Sequence, residues 1–147
     1  AGAGLDGGVI AELPLEESDP FCRAAEETGI SHIMMVSPTT SPGRLDAIVS
    51  RADGFIYLVA AKGVTGARSG VDPAARSFLS RIREKTRIPV APGFGISDAG
   101  QVREWNQAGA DGIIVGSAIV RRIEENLTDP DHLLRSVHDL IITLKLR

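Results

Sequence analysis

Five short, almost wholly apolar runs recur along the chain, and each is followed by a stretch with apolar residues at helical spacing. The runs cover residues 9–13, 32–36, 55–60, 88–91 and 112–115. A strand that is apolar on both sides has both faces covered, and such strands belong to parallel sheets packed beneath helices. Helix starts are announced by Asp19-Pro20, Ser41-Pro42, Asp72-Pro73 and Asp129-Pro130. Asp and Ser accept hydrogen bonds from the free first amides of a helix, and proline suits its first turn. Inward helix faces are expected at Phe21, Ala24, Ala25 and Thr28, then at Leu45, Ile48 and Val49. The later ones are Ala75, Phe78, Leu79 and Ile82, then Val102 and Trp105, then Leu133, Val137, Leu140 and Leu144. These sets follow the three- and four-residue steps of a helix.

Alternating buried strands and amphipathic helices make a parallel α/β sheet with right-handed crossovers. A doubly wound sheet and a (β/α)8 TIM barrel both satisfy that pattern. The barrel is favoured because the units are roughly 27 residues long, near one eighth of a ~250-residue barrel. Glycine-bearing loops follow the last two runs, and a short extra helix starts at the second of them, as at a barrel phosphate site. A Rossmann sheet carries its glycine loop after its first strand. The expected fold is therefore α/β, of parallel (β/α) barrel type. It is incomplete, with about five β/α units corresponding to strands 4–8, and residues 1–147 form a single domain. The opening Ala1-Gly2-Ala3-Gly4-Leu5-Asp6-Gly7-Gly8 resembles Ala108-Gly109-Ala110-Asp111-Gly112, where a helix ends and a strand begins. By that likeness the chain starts on the tail of a helix whose body is absent. The outer strands, 9–13 and 112–115, then offer free edges. The inward faces of Ile33, Met35, Ile56 and Leu58 lack partners across the barrel, so the chain alone is expected to self-associate, to be partly molten, or to need the missing segment to fold fully.

Composition narrows the function classes. A chain of 147 residues buries a sizeable core. A net charge of −3 gives no reason to expect nucleic acid or an anionic membrane as partner. The single cysteine, Cys22, rules out an intrachain disulfide and fits a reducing compartment such as the cytoplasm. No apolar run approaches the roughly 18 residues of a membrane span. His32, His132 and His138 show no metal-ligand spacing, so no metal is expected. Cys22 reads as a buried, inert thiol and Trp105 as packing against the sheet.

Chemistry concentrates at two strand-to-helix junctions, Pro92-Gly93-Phe94-Gly95-Ile96-Ser97 and Val115-Gly116-Ser117. Glycine lets backbone amides approach a ligand, and a helix beginning there turns its free N–H groups to the same spot. The chemistry suits an anion, phosphate first. The plainer reading makes these glycines turn formers only.

Five motifs in order carry a family resemblance. They are Glu12-Leu13-Pro14-Leu15-Glu16-Glu17-Ser18, Ser37-Pro38-Thr39-Thr40, Gly63-Val64-Thr65-Gly66-Ala67, the glycine–phenylalanine–glycine junction above, and Val115-Gly116-Ser117-Ala118-Ile119-Val120. The chain resembles the alpha chain of tryptophan synthase, over its whole length and over about the last five eighths of that family's barrel. The resemblance implies a lyase of tryptophan biosynthesis that cleaves indole-3-glycerol phosphate to indole and glyceraldehyde 3-phosphate. It implies no cofactor, and a beta chain as partner in an alpha–beta heterotetramer. It assigns phosphate to the backbone of Gly66, Gly95, Gly116 and Ser117, and supporting roles to Tyr57 and Thr65. Phe94 and Met35 fall at ring-contacting positions. Tyr57 has a second reading as an ordinary core aromatic, and Met35 as core only.

Three departures stand out. Glu12 replaces a usual Asp. Ala60-Ala61-Lys62 replaces a more polar pattern before Gly63. The family's two catalytic carboxylates have no counterpart in this sequence, so no catalytic residue is assigned and the isolated chain is expected to be inactive. Glu16, Glu17, Asp19 and Asp98 read as helix-flanking carboxylates. A non-catalytic phosphate-binding barrel fragment and another sugar-phosphate-binding barrel enzyme remain as alternatives.

Overall fold

The computed structural model describes residues 4–60 and 70–145. Strands β1 (Gly7–Val9), β2 (Ser31–Val36), β3 (Ile56–Val59) and β4 (Val90–Gly93) lie side by side in chain order, and every pair is parallel. Helices α1 (Asp19–Thr28), α2 (Pro42–Val49) and α3 (Pro73–Lys85) occupy the three crossovers. Helices α4 (Ala99–Gln107), α5 (Ser117–Glu124) and α6 (Pro130–Leu144) follow β4. Spatial order equal to chain order is what a barrel wall requires. A doubly wound sheet reverses its order at a switch point. The fold is the expected parallel (β/α) barrel type, in part.

Register sorts the strand residues onto two faces. Met34, Ile56 and Val90 pair across the sheet, and so do Val36, Leu58 and Pro92. These residues face the helices and are buried with Leu45, Ile48, Phe78, Leu79, Ile82, Val102 and Trp105. The residues between them, Met35, Tyr57 and Ala91, pair on the opposite face and are half-buried. The expected inward set is corrected accordingly. Ile56 and Leu58 are 0% exposed beneath the helices, and the lumen side belongs to Met35, Tyr57, Val59 and Ala91.

Three element expectations shift. The first strand is Gly7–Val9, not 9–13. Its register with Ser31, His32 and Ile33 draws in two glycines that carry no hydropathy signal. Residues beyond Val9 leave the sheet through a turn closed from Leu13 N to Ile10 O at 3.3 Å.

The fifth strand is reduced to a single parallel bridge between Gly93 and Ile114. Asp111 N and Ile114 N donate to Val90 O and Pro92 O at 3.0 and 2.9 Å. The return bonds are missing because Pro92 has no N–H and the Val90 N–H is taken by Asp111 Oδ2 at 2.7 Å.

In α1, Asp19 is the first helical residue and not a cap, and it pairs with Arg51 at 3.3 Å. The buried face is Ala25 with half-buried Phe21 and Cys22, while Ala24 and Thr28 are exposed. Asp72 and Asp129 do cap α3 and α6, accepting from Ala74 N at 2.9 Å and His132 N at 3.0 Å. The inward faces of α2, α3 and α4 fall as the spacing predicts.

Candidate functional site

The loops that follow β4 and the fifth segment leave the sheet side by side, because Gly93 and Ile114 bridge in parallel. After Gly93 the chain turns through two left-handed residues, Phe94 at φ 87° and Gly95 at φ 72°. Glycine adopts that region freely. Phenylalanine there is strained by of the order of 1 kcal/mol or more, and such strain persists where the surroundings over-determine it. Ala60 N holds Gly93 O at 2.9 Å on one side, and Gln101 holds the far side of the turn. The Phe94 side chain stands out, 62% exposed.

Asp98 then caps α4 through Gln101 N at 2.9 Å. The Ser97 N–H donates to Gln101 Oε1 at 2.8 Å, whereas those of Gly95 and Ile96 have no acceptor among the described residues.

The start of α5 is built differently from the other helix starts. Asp72, Asp98 and Asp129 cap α3, α4 and α6, and prolines open α1 and α2. The N-cap of α5 is Gly116, with no side-chain cap and no proline in the first turn. The N–H groups of Gly116, Ser117 and Ala118 find no acceptor among the described residues. Free amides at a helix start carry partial positive charge and suit an anion. Two adjacent loops thus present N–H groups with no acceptor among the described residues at one end of the sheet. Of the four positions assigned to phosphate, Gly95, Gly116 and Ser117 lie here; Gly66, like Thr65, lies outside the described residues.

Tyr57 and Met35 are direct cross-strand partners on the lumen face. Tyr57 lies against Gly93: a Cβ there would meet its Cε2 at 2.6 Å and its Oη at 2.7 Å. The register therefore runs from Met35 through Tyr57 to the turn after β4. Met35 also lines a cavity of about 320 Å³ with Ile10, Glu12, Leu13, Thr40 and Arg44.

The nearby carboxylates have other work. Arg44 binds Glu16 and holds it below the usual carboxylate range. Asp19 pairs with Arg51, and Asp98 caps α4.

Two arrangements were not read from the sequence. Cys22 Sγ lies 3.3 Å from His32 Nδ1, so the thiol has a histidine partner contributed by β2. His32 is 6% exposed, with the Phe21 ring edge-on at 4.7 Å, and burial pushes its pKa below the ordinary value. Burial thus favours the neutral form of the His32 imidazole. Nothing in the spacing of residues 22 and 32 signals the pair, because the contact is made across elements. Gln101 is the other. Its position three residues after Asp98 is a capping-box signal, and that signal was available in the sequence.

The tryptophan synthase alpha chain family matches residues 1–145. The chain belongs to that family. It is 48% identical over 143 residues to the tryptophan synthase alpha chain of Methanoregula boonei, covering 97% of this chain and 54% of that one. For the alpha chain of Methanothermobacter thermautotrophicus the identity is 45% over 145 residues, covering 99% and 54%. Among solved structures, the tryptophan synthase a2b2 complex of Pyrococcus furiosus contains a chain that superposes with a TM-score of 0.86 at 33% identity, covering 97% of this chain and 56% of that one. The alpha chain of Legionella pneumophila gives 0.80 at 29%, covering 97% and 52%. The chain spans about half the length of the relatives it matches.

Proposed function

We propose that this chain forms the phosphate end and one wall of the ring pocket in a cytoplasmic lyase of tryptophan biosynthesis. That enzyme cleaves indole-3-glycerol phosphate to indole and glyceraldehyde 3-phosphate alongside a beta chain. Residues 1–147 contribute as a single domain, the C-terminal part of a (β/α)8 barrel. The observation that carries the reading is the uncapped start of α5 beside the turn after β4. Backbone amides of Gly95, Gly116 and Ser117, with Gly66, hold the phosphate. Phe94 and Met35 contact the ring, and Tyr57 and Thr65 support the reacting region. Family membership and the a2b2 assembly named for the Pyrococcus furiosus relative support the partner. No helix among the described residues is long and apolar enough to cross a membrane.

Titration of the folded chain with inorganic phosphate, followed by backbone amide NMR, tests the site. The amide shifts of Gly95, Ile96, Gly116 and Ser117 are expected to move together along one binding curve. Shifts that stay put in a folded sample overturn the reading.

A further inference from the structure

We propose that Gln101 and Glu104, one turn apart on α4, are positioning residues that lock the anion turn and the segment leading into α3 onto a single helix face. The inference rests on the phosphate reading above and deepens it. Gln101 is 9% exposed, so its amide has left bulk water and needs partners. Its described side-chain bonds go to the turn. Oε1 accepts from Ser97 N at 2.8 Å, and Nε2 donates to Gly95 O at 3.5 Å. One planar amide therefore grips both ends of Gly95-Ile96-Ser97, and the N–H groups of Gly95 and Ile96, which have no acceptor among the described residues, lie between those grips. An apolar side chain would fill the same space without fixing where those amides point.

Glu104 does the corresponding work one turn further along. Its Oε2 accepts from Val71 N at 2.7 Å and pairs with Arg76 of α3 at 3.6 Å. Gly70 crosses directly above this carboxylate: a Cβ built there would lie 3.3 Å from Oε2. Gly70, Val71, Phe94, Gly95, Ile96 and Gln101 line one small cavity of about 20 Å³, so the two segments meet where the helix holds them. The segment leading into α3 and the loop after β4 are thus referenced to one rigid element, and positional precision at an anion site depends on such support.

The experiment is phosphate titration of the labelled 147-residue chain and four variants, with amide hydrogen exchange measured before phosphate is added. Gln101→Ala is expected to keep the α3 core resonances, speed exchange at Ser97 and weaken phosphate binding tenfold or more. Gln101→Glu keeps an oxygen for the Ser97 N–H and so keeps its protection. It brings negative charge beneath the anion, so its weakened binding recovers as ionic strength rises, which a purely structural substitution does not do. In the unaltered chain the Val71 amide shifts on phosphate addition. Glu104→Ala abolishes that response, and Glu104→Gln, which keeps the acceptor, restores it. Equal phosphate affinity in the unaltered chain and in both Gln101 variants overturns the role of Gln101. A Val71 response unchanged in Glu104→Ala overturns that of Glu104. If the unaltered chain binds no phosphate, yet Ser97 and Val71 lose protection in the alanine variants, the anion reading fails and the positioning stands.

Discussion

A methyl group added at Gly93 would lie 2.6 Å from Tyr57 Cε2, closer than any carbon contact tolerates. Gly93 is buried, so the ring has to move or the strand has to part. Gly93→Ala is expected to destabilise the chain by about 1–3 kcal/mol, the usual range for overpacking. Trimming the ring with Tyr57→Ala should return part of that loss. The double variant then shows a coupling of more than about 0.5 kcal/mol in thermal or denaturant melts; additive effects would mean that the two do not meet. A second residue-scale expectation concerns His32, whose pKa burial lowers from 6.5. The unfolded chain binds that proton more readily than the folded one. Stability is therefore full above the ordinary value and falls as pH drops from there through the lowered value. His32→Gln should flatten this acid limb in melts taken from neutral to mildly acidic pH.

Among the elements, α5 begins without the side-chain cap that Asp72, Asp98 and Asp129 give to other helices. Gly116 has open space around a built Cβ and a negative φ of −123°, so the position tolerates a side chain. Gly116→Asp is expected to raise stability by a few tenths of a kcal/mol, the difference between Asp and Gly as an N-cap. The same carboxylate occupies the free amides and repels an anion. Phosphate affinity should fall tenfold or more while the melting temperature holds or rises. A variant that still binds phosphate like the parent would remove α5 from the site.

On the scale of the molecule, apolar side chains gather on α5, α6 and the turn between them. Leu127, Leu134, Ile141 and Ile142 are 48–68% exposed, with Val120 of α5 at 51%. Neither α5 nor α6 has a buried residue. At the opposite edge of the sheet, Val9 and Ile10 are 45% and 37% exposed. Patches of this kind drive association at about 25 cal/mol per Å² of apolar surface removed from water. Light scattering of the 147-residue chain is expected to show concentration-dependent association; a monodisperse monomer with a sharp cooperative melt would contradict it. The same chain is expected to show no lyase turnover of indole-3-glycerol phosphate. General acid–base groups are worth ~10²–10⁴ in rate, and Glu16, Asp19 and Asp98 are held in ion pairs and a cap. Turnover at the rate of a complete enzyme would show the chemistry to be misplaced.

What the sequence determined by itself was whatever rests on local physics. Apolar runs under amphipathic stretches dictated a parallel sheet. Asp and Pro at the helix starts marked where α3 and α6 begin, and the glycines of residues 92–97 and 115–117 marked the two strand-to-helix turns. What it left open depended on neighbours distant in the chain. Gly7 and Gly8 join a strand because Ser31 and His32 are there to pair with them. Residues 112–115 fail to make a full strand because Pro92 of β4 has no N–H to give and Asp111 takes that of Val90. A continuous apolar run conceals which residues face the helices, and only the register with β3 put Ile56 and Leu58 under the helices and Tyr57 beside Gly93. The grip of Gln101 and Glu104 on two loops follows from where α4 packs, since a hydrogen bond across 33 residues, from Val71 to Glu104, exists only once the fold has brought its ends together.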